Sequence, residues 1–382
     1  MYLCRIKNKF AMPDWKRIIS AFDLKGTVSE PKPLGNGLIN DTYIIRTEEP
    51  ECPDYVLQKV NHNVFKDVDM LQNNIETVTD HIRGRLLKRG DLDLDRKCLR
   101  FVKTKEGGKT YVCVDDEYWR ISIFIARSKS FEAVSPYLAY VTGRAFGDFH
   151  NMLSDIPKGT LGATIPHFHD MEFRLGELNE AIKYNAAGRV EEMQPVIDQL
   201  IQRSERMCSV QKLVKADQFP MRITHCDTKV NNMLFDSENG KFLCVIDLDT
   251  VMPGVVLSDF GDFIRTAGNN GAEDDRNLGN VGLNMEIFRC FSEGYFDGTK
   301  PFLTLQEANY LPFGAELMTY MQTVRFLTDY LNGDTYYKIK YPRHNYDRTM
   351  AQLTMFQSLE SHEKEMDSTI AYLVRKSKPS FM

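Results

Sequence analysis

Several features are missing from these 382 residues, and each absence removes a class of function. No uninterrupted apolar run reaches the roughly 18 residues that a membrane-spanning helix needs, so no membrane partner is expected. The first ten residues, Met1 to Phe10, lack the continuous apolar core of a secretory signal. Acidic residues outnumber basic ones, 53 to 48, for a net charge of −5. The basic residues are dispersed, which leaves no positive field for nucleic acid or anionic lipid. Eight cysteines are scattered with no C-x-x-C pair, and several fall in expected strands, a pattern of reduced thiols in a cytoplasm. His167-Phe168-His169 has no cysteine cluster or H-E-x-x-H beside it, so a loop or acceptor-lobe role is expected rather than zinc. There is no internal repeat and no low-complexity tract. The expectation is a cytoplasmic, monomeric globular protein with two modest cores.

What is present is concentrated in one stretch. Ile223 to Asn232 places Asp227 and Asn232 five residues apart on an expected loop, and Asp247 follows at the end of an apolar strand, Phe242 to Ile246. Between them, Met233-Leu234-Phe235 and Phe242 to Ile246 flank Asp236-Ser237-Glu238-Asn239-Gly240, a hairpin pattern with an Asn-Gly turn. That hairpin returns Asn232 and Asp247 to one end of two paired strands. Phosphoryl transfer from ATP calls for these parts: a carboxylate to take the acceptor hydroxyl's proton, and an amide oxygen with a second carboxylate to hold Mg2+. The plainer reading, in which Asp227 and Asp247 are solvated loop acids, explains neither the spacing nor the hairpin.

The spacing resembles the H-x-D-x-x-x-x-N catalytic loop of the protein-kinase-like superfamily, and in particular its aminoglycoside phosphotransferase branch. The resemblance implies an α+β, bilobal, protein-kinase-like fold, with a small β-rich lobe over residues 1–127 and a larger, mainly helical lobe over 128–382. His225 then has a structural role in the loop. Asp259-Phe260-Gly261 spells a kinase-like triplet, but it follows no strong apolar strand, whereas Asp247 does. Asp259 instead fits an acid at a helix start that ties down the catalytic loop, with Phe260, Phe263 and Ile264 on the helix's apolar face.

The first third supplies matching parts. Gly35, Asn36 and Gly37 form a glycine-bearing turn before the strand Thr42 to Arg46, where backbone N–H groups could approach phosphate. Tyr55 to Val60 alternates as a strand and carries Lys59. By resemblance, Lys59 touches the nucleotide's phosphates and Glu76, on an expected helix over 68–85, orients it through an ion pair. Strands are expected at 98–104, 110–114 and 118–125, giving five strands and one helix, and the hinge at 125–130. Helices follow at 136–153, as two or three over 169–215, and as a long region over 306–331 broken near Pro312.

The run from Thr224 to Thr266, Val324 to Asp334, and Asn73 to Val78 together resemble the N-acetylhexosamine 1-kinase family. That implies transfer of the γ-phosphoryl group of ATP to the anomeric hydroxyl of N-acetylglucosamine or N-acetylgalactosamine. Asp227 would be the base, Lys229 would touch the moving phosphoryl group, and Asn232 and Asp247 would hold Mg2+. Arg325 would contact the sugar, with Tyr336, Asp249 and Asp262 as further acceptor-pocket candidates. Two features depart from aminoglycoside enzymes: Cys226 stands where many of them have glycine, and many lack a lysine at the position of Lys229. A kinase for choline, homoserine or an aminoglycoside would share every catalytic residue. A nucleotide-binding pseudokinase is disfavoured because Lys59, Asp227, Asn232 and Asp247 are all present, and a purely structural helical protein would bind no nucleotide.

Overall fold

The computed structural model describes residues 13–34 and 39–377, so the Gly35, Asn36 and Gly37 turn lies outside the described residues. The chain divides into two compact units, residues 1–79 with 95–126, and residues 80–94 with 127–382.

The first unit is built on a five-stranded antiparallel sheet of order β1-β2-β3-β5-β4: β1 Lys32–Pro33, β2 Asp41–Ile45, β3 Tyr55–Val60, β4 Tyr111–Val114 and β5 Glu117–Ile123. A short helix α1 (Trp15–Ser20) precedes it. The longer α2 (Val68–Arg89) starts in this unit, and the one-turn α3 (Leu94–Lys97) comes before β4. The stretch expected as a strand at 98–104 forms only isolated bridges, Phe101 with Ser122 and Thr104 with Phe22, and the fifth strand is β1 instead. Because successive strand residues face opposite ways, Tyr55 and Leu57 join Trp119, Ile121 and Val114 in a core completed by Ile18 of α1 and by Phe22. The opposite face meets α2: Tyr111, paired in register with Arg120, donates its hydroxyl to Asp69 of that helix.

The second unit contains a short strand β6 (Ser128–Lys129), α4 (Pro136–Leu153), α5 (Met171–Tyr184), α6 (Val190–Met207) and α7 (Ser209–Lys215). Ser135 caps α4 through the amide of Leu138, and Pro136 sits in its first turn, where no backbone donor is needed. Then come β7 (Arg222–Thr224), the hairpin β8 (Met233–Asp236) and β9 (Phe242–Val245), β10 (Met252–Gly254) and α8 (Val256–Ala267). α9 (Met285–Thr299), α10 (Leu305–Asn309), α11 (Leu311–Leu331) and α12 (His344–Lys376) complete the unit. The break expected near Pro312 falls at Tyr310, which caps both α10 and α11, because Pro312 is accommodated in the first turn of α11. A core of Leu175, Leu178, Ile197, Leu200, Tyr320, Val324, Leu327 and Phe356 joins α5, α6, α11 and α12.

Glycines let several of these helices approach closely. A Cβ at Gly261 of α8 would collide with the Gly314 carbonyl oxygen of α11, so the glycine of the Asp259-Phe260-Gly261 triplet serves helix packing and not a flexible loop. No helix among the described residues is long and apolar enough to cross a membrane.

Candidate active site

The catalytic loop begins where β7 ends. Asp227 carries the recessed carboxylate that the spacing points to: its side chain is 29% exposed, and Lys229 Nζ lies 2.6 Å from Oδ1. Asn232 donates its amide to Asp227 twice, to the backbone carbonyl at 2.9 Å and to Oδ2 at 3.0 Å, which turns its own side-chain oxygen away from Asp227. Burial raises the cost of charge on Asp227, but the Lys229 ammonium, with smaller help from His225 and Asn232, outweighs it and holds the carboxyl below the ordinary range. Lys229 is likewise opposed by burial and held charged by Asp227 and Asp262.

The loop's shape is fixed by α8. Asp259, 1% exposed, accepts the amide of His225 at 2.6 Å and that of Cys226 at 2.7 Å, and lies 2.7 Å from His150 Nε2. His150 is held in turn by Tyr295, 2.9 Å from its Nδ1. Burial works against the Asp259 charge; the His150 bond and the loop amides prevail and keep its carboxyl low. Thr228 adds two further ties, its hydroxyl to the Asp259 carbonyl at 2.5 Å and its amide to Asp262 Oδ2 at 3.2 Å. α8 starts at Val256, earlier than Ser258-Asp259, so Asp259 lies inside the first turn. His225 is wholly buried between the ring edges of Phe146 and Phe149, and its Nε2 lies 2.9 Å from the Ile246 carbonyl oxygen, fixing the loop to the end of β9.

Cys226 has φ +64°, the left-handed region that costs a side-chain-bearing residue about 1–2 kcal/mol. That conformation explains why glycine suits this position. The two amides that meet Asp259 offset the strain.

The hairpin brings the expected metal-binding pair to one end. The Ile246 amide donates to the Asn232 carbonyl at 2.9 Å, and Met233 pairs with Val245, so Asn232 and Asp247 flank adjoining strand ends. Asp247 is also left-handed, at φ +60°, as the chain leaves β9 for the turn Leu248–Thr250. Among the described residues no three His, Cys, Asp or Glu side chains gather around a metal position. A carboxylate with an amide oxygen nonetheless fits Mg2+, a hard ion that takes its other oxygens from phosphate and water.

In the first unit, one expected pairing is not formed. Lys59 Nζ meets Glu117 at 2.9 Å, while Glu76 accepts the Thr110 hydroxyl at 2.6 Å. The reason is strand parity. Lys59 opposes Trp119 on the face that α1 covers, where Glu117, two residues along β5, is its diagonal neighbour. The residue on the α2 face is Gln58, which accepts from the buried Arg120 at 2.8 and 3.0 Å.

The expected acceptor residues differ in their surroundings. Arg325 of α11 is half-buried, stacked 5.5 Å from the Phe168 ring centre and 5.7 Å from that of Tyr337. The Tyr336 side chain is 67% exposed; its neighbour Tyr337 is the one that faces Arg325. Asp329 decides this by accepting the amides of Thr335, Tyr336 and Tyr337 at 2.8–3.0 Å, which folds the loop after α11. Asp249 is buried in the Leu248–Thr250 turn. Asp262 pairs with Arg265 at 2.8 Å, and burial raises its carboxyl despite that partner. Two contacts carry no local motif: His150, which braces Asp259, and Tyr337, which stacks on Arg325. Only His150 leaves a trace in the sequence, as a histidine inside an apolar helical stripe.

Residues 126–284, which contain the whole catalytic loop, hairpin and α8, match the phosphotransferase enzyme family. Among solved structures, the chain is similar to an aminoglycoside phosphotransferase from Alicyclobacillus acidocaldarius, with a TM-score of 0.57 and 12% identity over 96% of this chain and 97% of that one. It is similar to a microcompartment-associated aminopropanol kinase, with a TM-score of 0.56 and 16% identity over 91% and 96%. A third is an amicoumacin kinase solved with AMP-PNP and Ca2+, with a TM-score of 0.54 and 11% identity over 92% and 91%. These likenesses establish the protein-kinase-like fold of the aminoglycoside phosphotransferases.

Proposed function

We infer that this chain, whose catalytic segment matches the phosphotransferase enzyme family, transfers the γ-phosphoryl group of ATP to a hydroxyl of a small molecule, and that the acceptor is an N-acetylhexosamine phosphorylated at its anomeric oxygen. The observation that carries the reaction class is the recessed Asp227 carboxylate, held at 2.6 Å by Lys229 and at 3.0 Å by Asn232 on a loop clamped by Asp259. No activation segment or A-P-E signature follows Asp247 before α8, which disfavours protein acceptors.

Asp227 takes the proton of the acceptor hydroxyl as that oxygen bonds to the γ-phosphorus; the bond to the bridging oxygen breaks, and ADP leaves with the electron pair. The low affinity of Asp227 for protons makes it a weak base. An anomeric hydroxyl, more acidic than an ordinary alcohol, suits such a base. Lys229, already beside Asp227, can meet the moving phosphoryl group as its charge spreads. Asn232 and Asp247 would hold Mg2+, which neutralises the phosphates when bound. Lys59, held by Glu117, is the first unit's cation for the nucleotide, with Gly35, Asn36 and Gly37 as its expected phosphate turn.

The acceptor reading rests on the resemblance of the catalytic run and of the Arg325 segment. A second reading, an amino-alcohol or aminoglycoside acceptor, is favoured by the likeness to an aminopropanol kinase and an aminoglycoside phosphotransferase. Incubation with Mg-ATP and a panel of N-acetylhexosamines, hexoses, amino alcohols and aminoglycosides separates them. The expected product is a sugar 1-phosphate, identified by phosphorus–carbon coupling to C1. Turnover of amino alcohols alone, or a 6-phosphate product, would overturn the acceptor assignment and leave the reaction class standing.

A further inference from the structure

The second unit has an uneven charge pattern near the catalytic carboxylate. Arg325 of α11 and Arg348 of α12 both stack on Tyr337, 5.7 and 5.9 Å from its ring centre. Their hydrogen bonds go to neutral oxygens: Arg325 to Gln322 at 3.2 Å, Arg348 to Asn345 at 3.0 Å and to the Lys338 carbonyl at 3.4 Å. Among the described residues neither guanidinium has a carboxylate within ion-pair distance. The neighbouring acids are engaged elsewhere, Glu273 and Asp262 with Arg265, and Glu177 with Arg174. His169 adds no positive charge of its own. Burial first, and then Arg325, Arg174 and Arg265, push its pKa down to about 3, so the imidazole is neutral.

This stretch adjoins the loop that carries Asp227: the Thr228 amide donates to Asp262 at 3.2 Å, Asp262 pairs with Arg265 at 2.8 Å, and Arg265 donates at 3.4 Å to Gln352, one turn along α12 from Arg348. A guanidinium offers only donors. It receives a carbonyl or hydroxyl oxygen and repels an ammonium, which brings donors and a like charge together.

We propose that Arg325 and Arg348, both stacked on Tyr337, act as a charge filter on the acceptor: their guanidinium groups take N-acyl and hydroxyl oxygens and reject the same molecule when its nitrogen is a free ammonium. Arg348 thereby becomes a specificity-determining residue. The proposal rests on Asp227 being the phosphoryl-transfer carboxylate, and it gives a reason for acylated over free amines.

The test compares each acceptor with its N-acetylated form, N-acetylglucosamine with glucosamine and N-acetylethanolamine with ethanolamine, between pH 6 and 9. Wild type is expected to favour the acetylated partner in kcat/KM by ~10-fold or more at pH 6, in line with the penalty for opposing like charges. The preference should narrow for glucosamine, whose amine loses its proton within this range, and persist for ethanolamine, whose amine stays largely protonated. Arg348→Gln should cut the ratio by about tenfold at pH 6, and Arg348→Lys, which keeps the charge, should preserve it. Arg325→Gln provides an independent arm should a thermal melt show that Arg348→Gln does not fold. Equal use of an ammonium acceptor and its acetylated form at pH 6, or a ratio that neither glutamine variant moves, would overturn the filter. Sugar turnover with an unmoved ratio removes the filter alone. Preference for N-acetylethanolamine with no sugar turned over removes the sugar reading alone.

Discussion

The Asp259 carboxylate accepts the Cys226 amide at 2.7 Å, so an acid on α8 sets the backbone of a loop 33 residues earlier. Cys226 sits at φ +64° beside Asp227, the proposed base, and this bond, paired with that to the His225 amide, keeps the loop in a conformation it would otherwise leave.

Asp259→Asn should therefore destabilise the protein by about 3 kcal/mol, the scale for breaking a buried charge network, and lower kcat through the misplaced loop. The native carboxyl titrates below its unfolded value. Its stabilisation is accordingly complete above ~pH 4, the unfolded carboxyl range, and is lost as pH falls through the lower native value. Melting temperature measured from pH 7 to pH 3 should fall steeply at the acid end for wild type and less steeply for the variant.

Asp227→Asn removes the proton acceptor while leaving a side chain that can still bond Asn232. Steady-state kinetics should show kcat lowered by ~10²- to 10⁴-fold. Wild-type turnover by the purified variant would exclude Asp227 as the base.

At position 226, backbone strain and side-chain burial oppose one another. Cys226→Gly relieves about 1–2 kcal/mol of left-handed strain and incurs ~0.5–1 kcal/mol of added chain entropy, so its stability should stay within ~1 kcal/mol of wild type. Cys226→Val, branched at Cβ, should lower both melting temperature and kcat. A valine variant as stable as wild type would show that φ at 226 is not as described.

A thermal-denaturation double-mutant cycle on Lys59 should find coupling of ~0.2–1 kcal/mol with Glu117, as for a partly exposed pair, and none with Glu76. Coupling to Glu76 in its place would mean that β3 presents the lysine to α2.

Gly261→Ala should cost about 2 kcal/mol by overpacking α8 against Gly314 of α11. Chemical denaturation measures it. A neutral result would indicate that the two helices are further apart.

Local signals were legible in the sequence wherever one short segment carried both the pattern and the chemistry. β3 and α4 appear with the bounds their residues suggest, and the Asn-Gly hairpin sets Asn232 and Asp247 at adjoining strand ends. The tie from Asp259 to the loop before it was expected only through the resemblance to the aminoglycoside phosphotransferases; the residues themselves offered an acid at the start of an apolar helix. The proposed reaction class rests on the same kind of local signal, because carboxylate, amide and second carboxylate lie within a single loop and hairpin.

Tertiary structure decided what depends on parity and on distant partners. Lys59 and Gln58 are adjacent in sequence but face opposite sides of the sheet, so which of them meets α2 is settled only by the register with β5. Tyr337 rather than Tyr336 faces Arg325 because Asp329 folds the intervening loop. His150, Glu273 and Arg348 lie far from Asp227 along the chain, and no local spacing could announce their partners. Their surroundings arise where helices cross, which brings together charges that no single segment carries.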